Sequence, residues 1–343
     1  PEMGTFMREW VSLYESKSGE RGIFNRESAK KQAAKNGRRD TEHDFGCNPC
    51  SEIILRPYQF CNLSEVVARA GDTEQSLATK VGLATILGTF QSTLTDFKYL
   101  RKVWQKNTEE ERLLGVSLTG IMDNEMLSGN SATLGKNIGA TLELLREVAV
   151  QTNKGMAKKL GIPQSTAITC VKPSGTVSQL VDSASGIHAR HNPHYIRTVR
   201  GDNKDPLTQF LMSEGIPAEP DVMKPDSTTV FSFPMKSPNA AVTRTEMTAI
   251  EQLDLWLLYQ RHWCEHKPSV TISVKENEWM SVGSWVYEHF DEVSGISFLP
   301  FSDHTYAQAP YQDCTKDEYK EMLAKMPKAV NWNKLSDFEK EDT

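Results

Sequence analysis

No apolar run in this 343-residue sequence approaches the ~20 residues needed to cross a bilayer, so a soluble protein is expected. Cysteine is sparse. Six residues at irregular spacings do not make the disulfide framework of a small secreted domain, and a reducing cytoplasm is the expected compartment, with no membrane partner. A basic excess is missing too: at a net charge of −6 the chain is not expected to coat nucleic acid, although a phosphorylated small substrate needs only a local positive pocket. Walker and dinucleotide glycine signatures, repeats and low-complexity tracts are all lacking. The opening Pro1-Glu2-Met3-Gly4 is no signal peptide and carries no initiator Met at position 1, which reads as a fragment or a processed or trimmed chain.

The length suffices for a large core, in one α/β domain or two units. Helical apolar spacing runs over residues 5–17, stopped by Ser18 to Gly22, and a second helix over 26–36 is closed by Gly37. Its cations Arg26, Lys30, Lys31, Lys35, Arg38 and Arg39 read as a solvated face. A strand end is expected at 62–67, a helix over 72–100 interrupted at Gly88, a buried strand over 112–121, a long helix over 135–160 and a short strand at 167–171. Residues 202–238, with six prolines, read as loop or hairpin around a strand at 230–233. Helices at 245–262 and 279–290 alternate with strands at 269–274 and 295–300, and a charged helix from Lys316 ends in a frayed tail. Strand, polar turn and helix alternate, which defines an α/β protein.

The densest chemistry lies in Gly46-Cys47-Asn48-Pro49-Cys50-Ser51-Glu52-Ile53-Ile54-Leu55, echoed at Phe60-Cys61-Asn62-Leu63. Asn48, Cys50 and Glu52 alternate, and in an extended chain alternate side chains leave one face. The apolar Ile53-Ile54-Leu55 then places this triplet where the backbone enters or caps a buried strand. Cys47 and Cys50 also form a Cys-x-x-Cys pair, open to reading as a redox dithiol or half a zinc site. Only the loose His188, His191, His194 group could supply further ligands, and no metal is expected.

A second polar stretch, Lys172-Pro173-Ser174-Gly175-Thr176-Val177-Ser178, follows a strand and precedes a helix start. Small residues let backbone N–H groups approach an anion, and hydroxyls at 174, 176 and 178 can donate to it. A capped turn explains the same residues. Arg197 and Arg200 downstream could assist or be surface charge.

Asn48-Pro49-Cys50-Ser51-Glu52 with Cys61 eleven positions after Cys50, Lys172-Pro173-Ser174-Gly175-Thr176-Val177-Ser178-Gln179, and Phe298-Leu299-Pro300-Phe301 together resemble the ribonucleotide reductases, particularly the adenosylcobalamin-dependent class II enzymes. The resemblance covers most of the chain. It implies the later part of a ten-stranded α/β barrel with a central finger loop, residues 1–315 forming the catalytic portion and 316–343 a C-terminal helix and tail. It also implies that Cys50 becomes a thiyl radical that takes the ribose 3′ hydrogen, that Glu52 accepts the 3′ hydroxyl proton, and that Asn48 orients the sugar. Cys61 would be one half of the reducing dithiol, and Pro173, Ser174, Gly175, Thr176, Val177 and Ser178 would hold the substrate phosphates.

No Tyr-Tyr pair and no C-terminal glycyl-radical motif are present, which with the Cys50 to Cys61 spacing favours adenosylcobalamin as the radical source; that spacing also resembles the branch that uses ribonucleoside triphosphates, with diphosphates open. The second reducing cysteine of such enzymes precedes the active-site loop, so a separate N-terminal polypeptide is an expected partner. Beyond Cys314 there is no cysteine, which puts reloading by a thioredoxin-like protein, rather than a small dithiol, in question. Two other readings remain: a non-catalytic nucleotide-binding fragment that needs a partner chain, and a thiol oxidoreductase using Cys47 and Cys50.

Overall fold

The computed structural model describes residues 1–19, 21–129, 138–301 and 307–339. In order the chain runs α1 (Met3–Ser16), β1 (Gly22–Ile23), α2 (Arg26–Ala34), β2 (Gly46–Cys47), β3 (Ile54–Leu55), β4 (Asn62–Val67), α3 (Glu74–Gln91), α4 (Lys102–Glu111) and β5 (Leu114–Thr119). There follow α5 (Glu125–Ser128), α6 (Ile138–Leu160), β6 (Thr169–Cys170), α7 (Thr176–Leu180), β7 (His194–Asp202), α8 (Pro206–Ser213), β8 (Ala218–Pro220) and β9 (Thr228–Lys236). Last come α9 (Ala249–His262), β10 (Thr271–Val274), α10 (Trp279–Glu288), β11 (Ile296–Pro300), β12 (Tyr311–Asp313), α11 (Lys316–Lys325) and α12 (Leu335–Glu339).

Two compact units result, residues 1–190 with 240–302 and residues 191–239 with 303–343. In the first, β4, β5 and β6 pair in parallel, and β10 pairs in parallel with β11. A parallel bridge between Val171 and Pro268 joins the two sheets, so five parallel strands form one arc, with β1 antiparallel to β11 at its end. β5 lies in the middle of its sheet with every residue buried, as expected for a parallel strand covered on both faces. The core gathers Val116 and Leu118 of β5, Leu77 and Val81 of α3, Leu142 and Leu145 of α6, and Trp256 and Tyr259 of α9.

The α/β class is as read from the sequence, but the ten-stranded barrel is not what these residues build. The arc is unclosed and β4 has no strand on its outer side among the described residues. Small closed barrels take about eight strands, so five leave an opening.

The second unit is an antiparallel sheet in the order β12-β7-β9-β8, with Phe210 of α8 packed against Trp332 and Phe338. Its nine-residue β7 went unpredicted, as did α4 in the first unit. The helix expected over 72–100 is shorter and unbroken. Gly88 stays inside α3, where a Cβ would make only ordinary contact with Leu114 and Ser64 at 3.5 Å. The helix ends instead where the Ser92 and Thr93 hydroxyls donate to the Thr89 and Phe90 carbonyls. Residues 135–137 of the long helix, Tyr306, and residues 340–343 of the tail lie outside the described residues. No described helix is long and apolar enough to cross a membrane.

One glycine joins the sheet to the polar loop after β6. Gly186 has φ +55°, and a Cβ there would lie 2.8 Å from the Lys172 carbonyl oxygen. Gly186→Ala should therefore destabilise the chain by ~1–3 kcal/mol, read from urea unfolding. A change below ~0.5 kcal/mol would show that the loop can shift at no cost.

Candidate active site

The 46–55 stretch folds as a hairpin rather than the extended segment its alternation suggested. β2 and β3 pair antiparallel, Gly46 opposite Leu55 and Cys47 opposite Ile54, and the Ser51 N–H donates to the Asn48 carbonyl at 2.8 Å to close the turn. Ser51 takes φ +66°, a left-handed conformation that a non-glycine residue adopts only when held there. Asn48 is half-buried and its Oδ1 accepts from the Ile53 N–H at 3.0 Å, so this side chain braces the turn. Cys50 is exposed at the tip, whereas Glu52 is fully buried below it. Ile53 and Ile54 are buried too, which anchors the hairpin to the core as its apolar run foretold.

Lys172 connects this hairpin to the second polar loop. Its ammonium donates to Glu52 Oε1 at 2.9 Å and also interacts with Cys50. Burial works against that charge, but the hydrogen bond and charge of Glu52, helped by Cys50, outweigh it and hold the ammonium above its ordinary value. Glu52 Oε2 is buried with no hydrogen-bond partner among the described residues. Such an oxygen is costly to bury unless something else occupies it.

Strand register sets the rest. Leu63 and Glu65 of β4 sit opposite Gly115 and Ser117 of β5, and Cys170 of β6 sits opposite Ser117 on its other side. Period-two alternation then puts Cys61, Leu63, Glu65, Gly115, Ser117, Thr119, Cys170 and Lys172 on one face. A Cβ on Gly115 would lie 2.5 Å from Leu63, 3.0 Å from Ile53 and 3.3 Å from the Cys61 sulfur, so glycine leaves room for all three beside the hairpin. Burial first, then the charge of Glu52, push the Cys61 thiol well above its ordinary value, against Arg39 and Lys172. Cys61 is therefore held as a protonated thiol.

The loop after β6 is as polar as expected, but its hydroxyls are differently committed. Ser174 Oγ bonds Glu65 Oε1 and Thr119 Oγ1, and Ser178 is buried with its hydroxyl on the Gly175 carbonyl. Gly175, Thr176 and Val177 are exposed, while Pro173 and Ser174 are half-buried. Burial raises the Glu65 carboxyl above its usual range, with the Ser174 hydrogen bond and Lys172 opposing. Helix α7 begins at Thr176, as expected, but has only five residues.

Arg197 and Arg200 belong to the second unit, where Arg197 donates to the Pro310 carbonyl and Arg200 pairs with Asp221. His191 pairs with Asp313 there, whereas His188 lies in the first unit, its ring between the Ser185 carbonyl and the Thr271 N–H. Among the described residues no group of three or more His, Cys, Asp or Glu side chains could hold a metal ion.

Several site residues escaped the sequence reading. Arg39, expected on a solvated face, is buried against Glu111 with its guanidinium over the Phe45 ring at 4.7 Å, bracing the hairpin base. Ser269 Oγ donates to the Cys50 carbonyl, and the Lys267 N–H donates to that of Glu52 at 3.1 Å. His266 accepts from the Ile54 N–H at Nδ1 and donates from Nε2 to the Leu114 carbonyl.

Among solved structures, the chain is similar to a B12-dependent (class II) ribonucleotide reductase with TM-score 0.80 and 22% identity, over 98% of this chain and 50% of the other. The alpha subunit of the class Id ribonucleotide reductase of Actinobacillus ureae aligns with TM-score 0.59 and 14% identity over 86% of this chain. The fold is thus that of ribonucleotide reductase catalytic chains. In sequence the chain resembles the adenosylcobalamin-dependent ribonucleoside-triphosphate reductases: that of Euglena gracilis is 28% identical over 292 residues, 84% of this chain and 38% of the relative. That of Lacticaseibacillus paracasei is 26% identical over 341 residues, 92% of this chain and 45% of the relative. The Lactobacillus leichmannii enzyme is 28% identical over 340 residues, 88% and 44% of the two chains. No family model matches. The chain spans less than half the length of these curated relatives.

Burial, then the neighbouring Arg39, depresses His266 to about 3, so the ring stays neutral between its two backbone partners. Unfolded, a histidine titrates near 6.5. The unfolded chain therefore binds a proton that the folded chain refuses, and stability is lost as pH falls from ~6.5 towards 3. Urea unfolding of the parent chain should lose stability faster than His266→Gln by ~1.4 kcal/mol per pH unit between about pH 4 and 6. Parallel curves would show that the imidazole is charged or free in the fold.

Proposed function

We propose that this chain is the C-terminal catalytic portion of an adenosylcobalamin-dependent ribonucleoside-triphosphate reductase, converting ribonucleotides to 2′-deoxyribonucleotides. One observation carries the reading. A buried carboxylate, Glu52, has one oxygen on Lys172 and the other without a partner among the described residues, and the exposed Cys50 thiol stands two residues away at the hairpin tip. A sugar hydroxyl donating to Glu52 Oε2 would complete this set.

An S–H that gives up its hydrogen atom to an outside radical must be reachable, and Cys50 is, so this residue fits the cofactor's chemistry. Adenosylcobalamin, when bound, supplies that radical by homolysis of its cobalt–carbon bond. The Cys50 thiyl then takes the ribose 3′ hydrogen atom and becomes a thiol again, leaving the unpaired electron on C3′. Glu52 accepts the 3′ hydroxyl proton, the general-base role its free oxygen allows. The 2′ hydroxyl leaves with a proton as water, two electrons and two protons come from a dithiol of which Cys61 is one member, and C3′ then takes a hydrogen atom back from Cys50 while Glu52 returns the proton to the 3′ oxygen, which restores the thiyl. The high pKa of Cys61 keeps its proton in place for that delivery. Asn48 supports the turn and faces the sugar. Residues 173–178 hold the phosphates chiefly through the exposed backbone at Gly175 and Thr176 and the Thr176 hydroxyl, because Ser174 and Ser178 are engaged within the fold.

Residues 1–315 make up the catalytic portion and 316–343 a terminal helix and tail. The five-stranded arc is half of a ten-stranded α/β barrel, with 46–61 as its central finger loop. The relatives' N-terminal region supplies the other half and the second reducing cysteine, whether on this chain or on a separate polypeptide, a reading supported by the free side of β4 and the partial span of the relatives. Electrons come from a thioredoxin-like protein or a small dithiol, the enzyme is cytoplasmic, and triphosphates are the favoured substrates.

The free side of β4 also favours a second reading, a nucleotide-binding piece inactive by itself. Deoxyribonucleotide formation measured with adenosylcobalamin and dithiothreitol separates the two, using the chain alone and the chain with the relatives' N-terminal region added. Activity should appear with the added region and vanish in Cys50→Ala. Glu52→Gln should lower kcat ~10²–10⁴-fold and change substrate affinity far less. Product from Cys50→Ala would overturn the reductase reading, and nucleotide binding without reduction in every mixture would favour the second.

A further inference from the structure

Beneath the hairpin tip lies a lysine that the reaction above does not use. Lys267 is wholly buried, and its ammonium donates to Ser51 Oγ at 2.6 Å, reaches the Ser294 carbonyl at 3.5 Å and stands 4.8 Å from the centre of the Phe24 ring. The space for it exists because residue 295 is glycine: a Cβ there would strike the Lys267 ammonium and approach Ser51 Oγ to 2.8 Å. Ser51 in turn stands between the two reacting residues in a backbone conformation that L side chains disfavour. Among the described residues no other group hydrogen-bonds its hydroxyl, and its backbone is hydrogen-bonded to Asn48 alone.

We propose that Lys267 is a positioning residue: by gripping the Ser51 hydroxyl it holds Ser51 left-handed and so fixes the directions in which Cys50 and Glu52 leave the backbone. Its own backbone serves the same end, with the Lys267 N–H on the Glu52 carbonyl and Ser269 Oγ on that of Cys50. The segment 267–269 thus grips the tip at three consecutive residues. Burial lowers the ammonium to about 8, against the nearby Cys47 and Glu52, so it stays largely charged at neutral pH and donates strongly. That this geometry serves catalysis rests on the reading of Cys50 and Glu52 as the reacting pair, but the grip itself does not.

The test uses the full chain and no turnover, so failure of the reductase reading would leave it intact. Hydrogen–deuterium exchange of amides 50–53 and the ratio of Cys50 to Cys47 alkylation by iodoacetamide are compared in the parent, Lys267→Met, Ser51→Ala and the double variant. Each single change should speed exchange in 50–53 about tenfold and move the alkylation ratio at least about threefold, with exchange in β5 and β11 unchanged. The double variant should add less than about twofold, because both changes remove one interaction. Unchanged exchange at 50–53, additive single effects, or faster exchange throughout the sheet would overturn the proposal. Should Lys267→Met not fold, Ser51→Ala must still give the change confined to the loop, and its failure to do so would be equally decisive.

Discussion

The Lys172–Glu52 ion pair ties together two loops 120 residues apart, and the candidate site exists only while it holds. A buried pair of this kind adds little net stability, because desolvating two ions offsets most of their attraction. Its force lies in the cost of separation: removing one partner from a buried pair typically costs ~3–5 kcal/mol, somewhat less here because Lys172 keeps some contact with water. The hairpin tip and the turn after β6 therefore cannot drift apart cheaply. Lys172 is itself fixed at the backbone, where its N–H donates to Ser117 Oγ at 2.8 Å.

Behind that pair stands the register of three strands. Cys61, Glu65, Ser117, Thr119 and Lys172 share a face only because β4, β5 and β6 are paired as they are, and a slip of one residue would turn the affected strand's side chains to the opposite face. The other face of the same strands carries Val66, Val116 and Leu118, all buried. Burying that apolar set specifies the register, so the hydrophobic core fixes where the polar groups stand. His188 extends the same logic to the turn: its ring bonds the carbonyl of Ser185, whose hydroxyl accepts from the Ser174 N–H, and so ties the turn to β10.

What could be read from the sequence was the chemistry along the chain. The Cys50, Glu52 and Cys61 motif, the turn after β6, the α/β alternation and most elements were legible because each is a local pattern of residue types. The hairpin was not, because Asn48-Pro49-Cys50-Ser51 has no glycine to announce a left-handed residue, and Ser51 adopts one under the hold of a side chain 216 residues away. His266, Lys267 and Ser269 were invisible for the same reason: their partners are tertiary, and an isolated His-Lys-Pro-Ser suggests a surface turn. Helix α4 was missed because its charged sequence has few apolar positions, and α3 was overextended because serine and threonine hydroxyls end it without glycine or proline.

The two lysines at the hairpin differ in a way that suits a reacting carboxylate. Lys172 has a carboxylate in direct contact, and that contact outweighs burial; Lys267 has a hydroxyl, a carbonyl and a ring, and burial prevails. One side of the hairpin is thus held by a bond whose strength follows the charge of Glu52, the other by a bond to the neutral Ser51 hydroxyl, which that charge reaches only through space. When Glu52 takes up a proton, its attraction to Lys172 weakens, while Ser51 stays gripped from below and the backbone between Cys50 and Glu52 keeps its course. On the proposed reading, in which Glu52 changes charge beside a Cys50 thiyl, the bond that feels the proton is thereby kept apart from the bond that keeps the shape.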